Sequence, residues 1–187
     1  KIADHEAYEL LGLSRPTHMP RATQYIEQQI KFVELLEKKG YTYVIEDGVY
    51  FDTSKLDDYG KLAQLDIEGL QFGVRVEDTG KKNPTDFAVW KFSPKDQKRD
   101  MEWESKWGKG FPGWHLECSV MARELLGDQI DIHTGGIDHI PVHHTNEIAQ
   151  TESVTGKQFS QFWVHANHMK VNGTKMSKSL GNIYTLQ

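Results

Sequence analysis

Between residues 21 and 39 the apolar residues Ile26, Ile30, Val33 and Leu36 recur at intervals of three and four, the repeat that lines one face of a helix. Lys38-Lys39-Gly40 then supplies a cationic last turn and the glycine that commonly follows a helix end. The period changes at once. Tyr41, Tyr43 and Ile45 alternate with Thr42, Val44 and Glu46, and Asp47-Gly48 offers a tight turn into Val49-Tyr50-Phe51, so a hairpin is predicted. Residues 53 to 85 are polar and broken by Gly60, Gly69, Gly73, Gly80 and Pro84, after which Asp86 to Lys91 reads as a further strand.

Order of a different kind resumes at Trp107-Gly108. Pro112-Gly113 opens a predicted helix on which Trp114, Cys118, Met121 and Leu125 share a face and which Gly127 ends. Residues 130 to 133 form a short strand running into Gly135-Gly136, residues 141 to 154 a helix, residues 162 to 165 another strand, and Asn172-Gly173 a turn. Helix, strand, helix, strand and loop in that order suit an α/β protein, specifically the second half of a Rossmann-like, doubly wound nucleotide-binding fold. In open sheets of that kind ligands gather beyond the carboxyl ends of the strands, which places His133 and the two glycines near a site.

Composition narrows the class. With 37% hydrophobic and 26% charged residues among 187, the chain has enough apolar material for a core. The 22 basic groups against 27 acidic ones argue against broad nonspecific binding to DNA or RNA, which phosphate neutralisation drives. No apolar run approaches the roughly 20 residues of a membrane span and no secretory leader opens the chain, so a cytoplasmic location is expected.

Cys118 is the single cysteine, which excludes an intrachain disulfide and a four-cysteine metal site. His143 and Glu147 stand four apart on the predicted helix, an imidazole and a carboxylate on one face at metal-ligand spacing. His144, three residues from Glu147, is an equal candidate by spacing. Residues 175 to 182 read Lys-Met-Ser-Lys-Ser-Leu-Gly-Asn, two ammonium groups on a loop of small residues that suits a polyphosphate.

That string resembles the signature loop of class I aminoacyl-tRNA synthetases, which closes over ATP during amino-acid activation. Phe-Pro-Gly-Trp-His-Leu-Glu-Cys at 111 to 118, Asp-Ile-His-Thr-Gly-Gly at 131 to 136 and Asp-His-Ile-Pro-Val-His-His-Thr-Asn-Glu-Ile-Ala-Gln at 138 to 150 resemble the catalytic core of cysteinyl-tRNA synthetases. The resemblance implies zinc on Cys118, His143 and Glu147, with His143 preferred because the family's ligand is the first histidine of the pair, 25 residues beyond the cysteine. It implies Trp114 and His133 at the substrate, with His115 a weaker candidate, and Asp138 either at the amino-acid ammonium or ribose or as a helix cap. Gly135, Gly136 and His165 would neighbour the nucleotide, and Lys175 and Lys178 would stabilise the departing pyrophosphate of ATP-Mg²⁺. His168 is left without a role.

A zinc with an open position gives thiol selectivity a physical basis. Zinc deprotonates a coordinated thiol, whereas a serine hydroxyl is a poorer ligand for a borderline-soft metal. An apolar pocket would separate such near-isosteres by only about 1–3 kcal/mol. The implied partners are therefore cysteine, ATP and tRNA(Cys). Residues 1–40 are expected to be a helical part of the catalytic domain, 41–110 a connective-peptide insertion and 111–187 the zinc and lysine-loop half.

The family's fourth zinc ligand, a cysteine near the chain start, and its His-x-Gly-His element have no counterpart here. The chain is therefore expected to be an internal piece of a longer enzyme, incomplete alone, with sheet edge or apolar surface uncovered. Two alternatives share these residues: a mycothiol-pathway ligase joining cysteine to a sugar amine, and a noncatalytic zinc-binding module.

Overall fold

The structure, a computed structural model, describes residues 8–64, 80–94, 96 and 99–184. The expected breaks at Gly69 and Gly73 lie outside the described residues. After a short 3₁₀ turn, helix α1 runs Ile26–Lys38 and buries Ile26, Gln29, Phe32, Val33 and Leu36. Gly40, at φ +81°, takes the left-handed conformation that lets the chain leave the helix.

Strands β1 (Thr42–Ile45), β2 (Gly48–Phe51), β3 (Phe87–Phe92) and β4 (Gly110–Pro112) form an antiparallel sheet in that order. The hairpin turn differs from expectation by one residue. Ile45 pairs with Gly48, so Glu46-Asp47 make the turn and Gly48 belongs to β2. Glycine is needed at that position for close approach, since a Cβ would lie 2.4 Å from the Trp90 carbonyl oxygen. The Asp86 carboxylate, immediately before β3, accepts hydrogen bonds from Thr53 N (2.8 Å), Asn83 N (2.9 Å) and Tyr43 Oη (2.6 Å). Strand β1, the turn after β2 and the loop before β3 are thereby tied at one buried point, as a buried carboxylate requires.

Helix α2 (Trp114–Leu126) follows β4 directly and ends at Gly127. Its core face is His115, Leu116, Ser119 and Val120, not the Trp114–Cys118–Met121–Leu125 row, whose first member is 57% exposed. The reason is tertiary: β3 and α1 pack against the Leu116–Val120 side. Strands β5 (Ile130–Gly136) and β6 (Ser160–Ala166) pair in parallel, Gly136 opposite Ala166. They are joined through a 3₁₀ turn (Ile137–His139), a π turn (Ile140–His144) and helix α3 (Thr145–Thr155). The expected single helix over 141–154 is thus a π turn leading into an α-helix.

One apolar core, including Phe32, Leu36, Phe51, Trp90, Leu116 and Val154, is shared by α1, the antiparallel sheet, α2 and α3. Lys39 reaches from the end of α1 to the Ser153 and Val154 carbonyls at 3.1 and 2.7 Å, closing the C-terminal end of α3. Lys39→Met is expected to lower stability by about 1 kcal/mol, read as a fall in thermal midpoint.

One face of the β5–β6 pair carries Ile132, Phe162 and Val164, each more than half exposed. Parallel strands ordinarily have both faces covered. Among the described residues no helix is long and apolar enough to cross a membrane.

Candidate metal and amino-acid site

The covered face of β5–β6 and the adjoining ends of α2 and α3 hold the polar side chains that matter. Alternation along the strands turns His133 and Gly135 of β5, and Trp163 and His165 of β6, to the side opposite Ile132 and Phe162. The wider π turn then places consecutive histidines inside, His143 at 5% and His144 at 1% exposure. Such turns recur where function needs unusual side-chain placement. Glu147, on the first turn of α3, is completely buried beneath them.

Three ligand atoms, from Cys118, His143 and Glu147, lie within 4.8 Å of one another, and so do those of His133, His144 and Glu147. Glu147 Oε2 is 2.9 Å from His133 Nε2, 3.7 Å from His143 Nε2 and 3.9 Å from His144 Nε2. The two histidines that spacing left equal are therefore separated by geometry, because the group containing Cys118 contains His143. Behind it His115 Nδ1 meets His143 Nδ1 at 3.0 Å, an orienting contact that leaves Nε2 directed at Glu147. His144 Nδ1 meets His165 Nε2 at 2.7 Å. Trp114 lies over His143 with ring centroids 4.4 Å apart.

Burial, then the neighbouring histidines, hold His115 and His144 down at about 3, so both are neutral at physiological pH. Burial, then the nearby Glu147 and Glu117 charges, push the Cys118 thiol up to about 12. Without a cation the thiol keeps its proton. Glu147 Oε1 is also buried with no hydrogen-bond partner. A sulfur, an imidazole and an under-satisfied carboxylate converging on one point fit zinc.

Gly135 has a local reason to be glycine: a Cβ there would come within 2.5 Å of His144 Cε1. Gly135→Ala is expected to displace that buried ring and destabilise by about 1–3 kcal/mol, measurable by thermal denaturation. A Cβ on Gly136 would similarly meet Asp138 Oδ1 at 2.3 Å. Asp138 is exposed, and no side-chain cap is formed at the turns or the helix that follow it.

Beyond β6, β7 (Lys170–Val171) and β8 (Thr174–Lys175) form a small hairpin. Asn172 and Gly173 turn it with φ +51° and +80°, as expected for a two-residue turn of that composition. Lys175 and Lys178 are both exposed, on the last hairpin strand and on a 3₁₀ turn. The Asn182 side chain closes the loop, accepting from Ser177 N at 2.9 Å and donating to the Lys175 carbonyl at 3.2 Å. Lys175 Nζ rests 3.2 Å from His168 Nε2.

The sequence profile of the family described as tRNA synthetases class I (C) catalytic domain matches residues 2–187. A relative named cysteine–tRNA ligase 1, from Burkholderia lata, is 54% identical over 181 residues, covering 96% of this chain. The chain belongs to the cysteinyl-tRNA synthetase family. It spans 38% of the length of that relative. Sequence reasoning missed His139, whose ring lies 5.9 Å from Trp114 and 5.2 Å from His143. It also missed Gln150, although that residue stands three beyond Glu147, one helical turn along the same face.

Proposed function

We propose that the protein containing this chain activates cysteine with ATP and transfers it to tRNA(Cys). The observation that carries this is the convergence of Cys118, His143 and Glu147 beside Trp114, in a chain of the cysteinyl-tRNA synthetase family. On this reading residues 111–187 are the second half of a Rossmann-like fold and 41–110 its connective peptide. The β5–α3–β6 crossover supports the first assignment, and the four-stranded antiparallel sheet supports the second. Other parts of the longer protein would cover Ile132, Phe162 and Val164.

Cys118, His143 and Glu147 would hold zinc. The metal supplies a coordination site that accepts a thiol far better than a hydroxyl. Trp114 walls the site on the side of His143, and the neutral His115 orients His143. The part-buried His133 and the fully buried Glu147 form a hydrogen-bonded pair at the base of the site. Asp138 would meet the substrate ammonium or ribose, and Gly135, Gly136 and His165, at the ends of β5 and β6, would neighbour the adenylate.

In the reaction the cysteine carboxylate attacks the α-phosphorus of ATP-Mg²⁺ and pyrophosphate leaves, giving cysteinyl-adenylate; a hydroxyl of the terminal adenosine of the tRNA then takes the acyl group and AMP leaves. Lys175 and Lys178 stabilise charge on the departing pyrophosphate, with Lys178 in direct contact. As exposed groups on a self-bonded loop they would act once that loop closes. A cytoplasmic location accords with this function.

ATP–pyrophosphate exchange by the full-length protein tests the proposal. Exchange dependent on cysteine and negligible with serine is expected; equal exchange with both, or none with cysteine, overturns it.

A further inference from the structure

Helices α2 and α3 carry the two halves of the proposed metal group, Cys118 on the first and Glu147 on the second. A single side chain joins them by hydrogen bonds. Gln150 of α3 is completely buried, and its Nε2 donates to the His115 carbonyl at 2.6 Å and to Ser119 Oγ at 2.6 Å. Among the described residues no other hydrogen bond or ion pair joins α2 to α3. The remaining contact includes apolar packing, with Leu116 and Val120 of α2 and Ala149 and Val154 of α3 in the shared core. Such packing is nondirectional.

The bonded turn of α2 is also the one that carries the thiol. His115 and Ser119 bracket Cys118, and His115 is itself the partner of His143. Gln150 stands one turn beyond Glu147 on the same face of α3. A displacement along the helix interface would therefore move sulfur relative to carboxylate with little change in buried area. Metal sites hold ligand distances to within about 0.2 Å, so a small slide matters.

Resting on the function proposed above, we propose that Gln150 is a positioning residue: its amide clamps the Cys118 turn of α2 to α3 and so fixes the thiol–imidazole–carboxylate spacing on which selection of cysteine depends. It touches neither metal nor substrate. Its action runs through the placement of Cys118 and His143.

The test is made in the full-length protein with Gln150→Met, which keeps length and apolar volume but removes the donor, and with Ser119→Ala, which removes one of the two bonds. Zinc affinity by chelator competition is expected to fall about 10–100-fold in Gln150→Met, the range typical of groups that orient metal ligands. The thiolate-to-metal absorption of the cobalt-substituted protein should weaken and shift. KM for cysteine should rise in pyrophosphate exchange while KM for ATP stays within about twofold. Ser119→Ala should move each readout the same way by less, and it carries the test if Gln150→Met does not fold.

Unchanged zinc affinity and cobalt absorption, with only a lower thermal midpoint, would reduce Gln150 to a packing residue and overturn the inference. Wild-type protein that binds no zinc and gives no cysteine-dependent exchange would instead overturn the functional proposal, and this inference with it. A zinc-bearing, cysteine-activating wild type with an unaltered Gln150→Met removes the inference alone.

Discussion

Replacing Glu147 by glutamine is expected to strip zinc from the full-length protein and abolish selection of cysteine over serine. The amide matches the carboxylate in size, so the change removes charge rather than volume. Glu147 is wholly buried, belongs to both groups of converging ligand atoms, and accepts from His133 at 2.9 Å. A neutral amide is a weaker donor to the metal, and it also removes the anion that favours a cation at this depth. Loss of metal affinity should reach at least about a hundredfold, since groups that merely orient a ligand are worth about 10–100-fold. Elemental analysis after dialysis against a chelator provides the measurement. Full zinc retention in Glu147→Gln would remove Glu147 from the ligand set.

Lys178→Ala is expected to slow cysteine-dependent pyrophosphate exchange on the order of 10²–10³-fold in kcat, the loss typical when one preorganised charge-stabilising group is removed. KM for cysteine should change little, because Lys178 lies on the exposed loop beyond β8 while the thiol-binding group lies between α2 and α3. Lys178→Arg keeps the charge but spreads it over a planar fork, so only partial recovery is expected. Lys175→Ala should show a smaller defect. If Lys178→Ala instead raises KM for cysteine at constant kcat, the loop serves amino-acid binding and the division of labour proposed here is wrong.

Much of the fold was legible from local pattern. The spacing of Ile26, Ile30, Val33 and Leu36, the alternation about Tyr43, and Asn172-Gly173 each locate an element, because periodicity and turn chemistry act over a few residues. Errors arose where tertiary packing decided. Spacing puts Trp114, Cys118, Met121 and Leu125 on one face of α2 but does not say whether that face meets the core. The helix buries His115, Leu116, Ser119 and Val120, because β3 and α1 occupy that side, and the Trp114 row is left for the site. Gly48 looked like a turn glycine because Asp-Gly is a turn pair, yet it is demanded by the neighbouring Trp90 carbonyl across the sheet.

The chemistry divides in the same way. The chain's sequence by itself determined the donor types, one thiol with imidazoles and a carboxylate at helical spacing, and the two-lysine loop, since these are properties of residue identity and short separation. It also determined the family, because motif order along the chain is enough for that. Only the tertiary structure decided that His143 rather than His144 shares a point with Cys118, that the π turn brings both rings inside, and that Gln150 links the helices. The 25 residues separating Cys118 from His143 run through the rest of α2, strand β5, a 3₁₀ turn and the π turn. Their distance in space is set by how two helices pack, which no local pattern encodes.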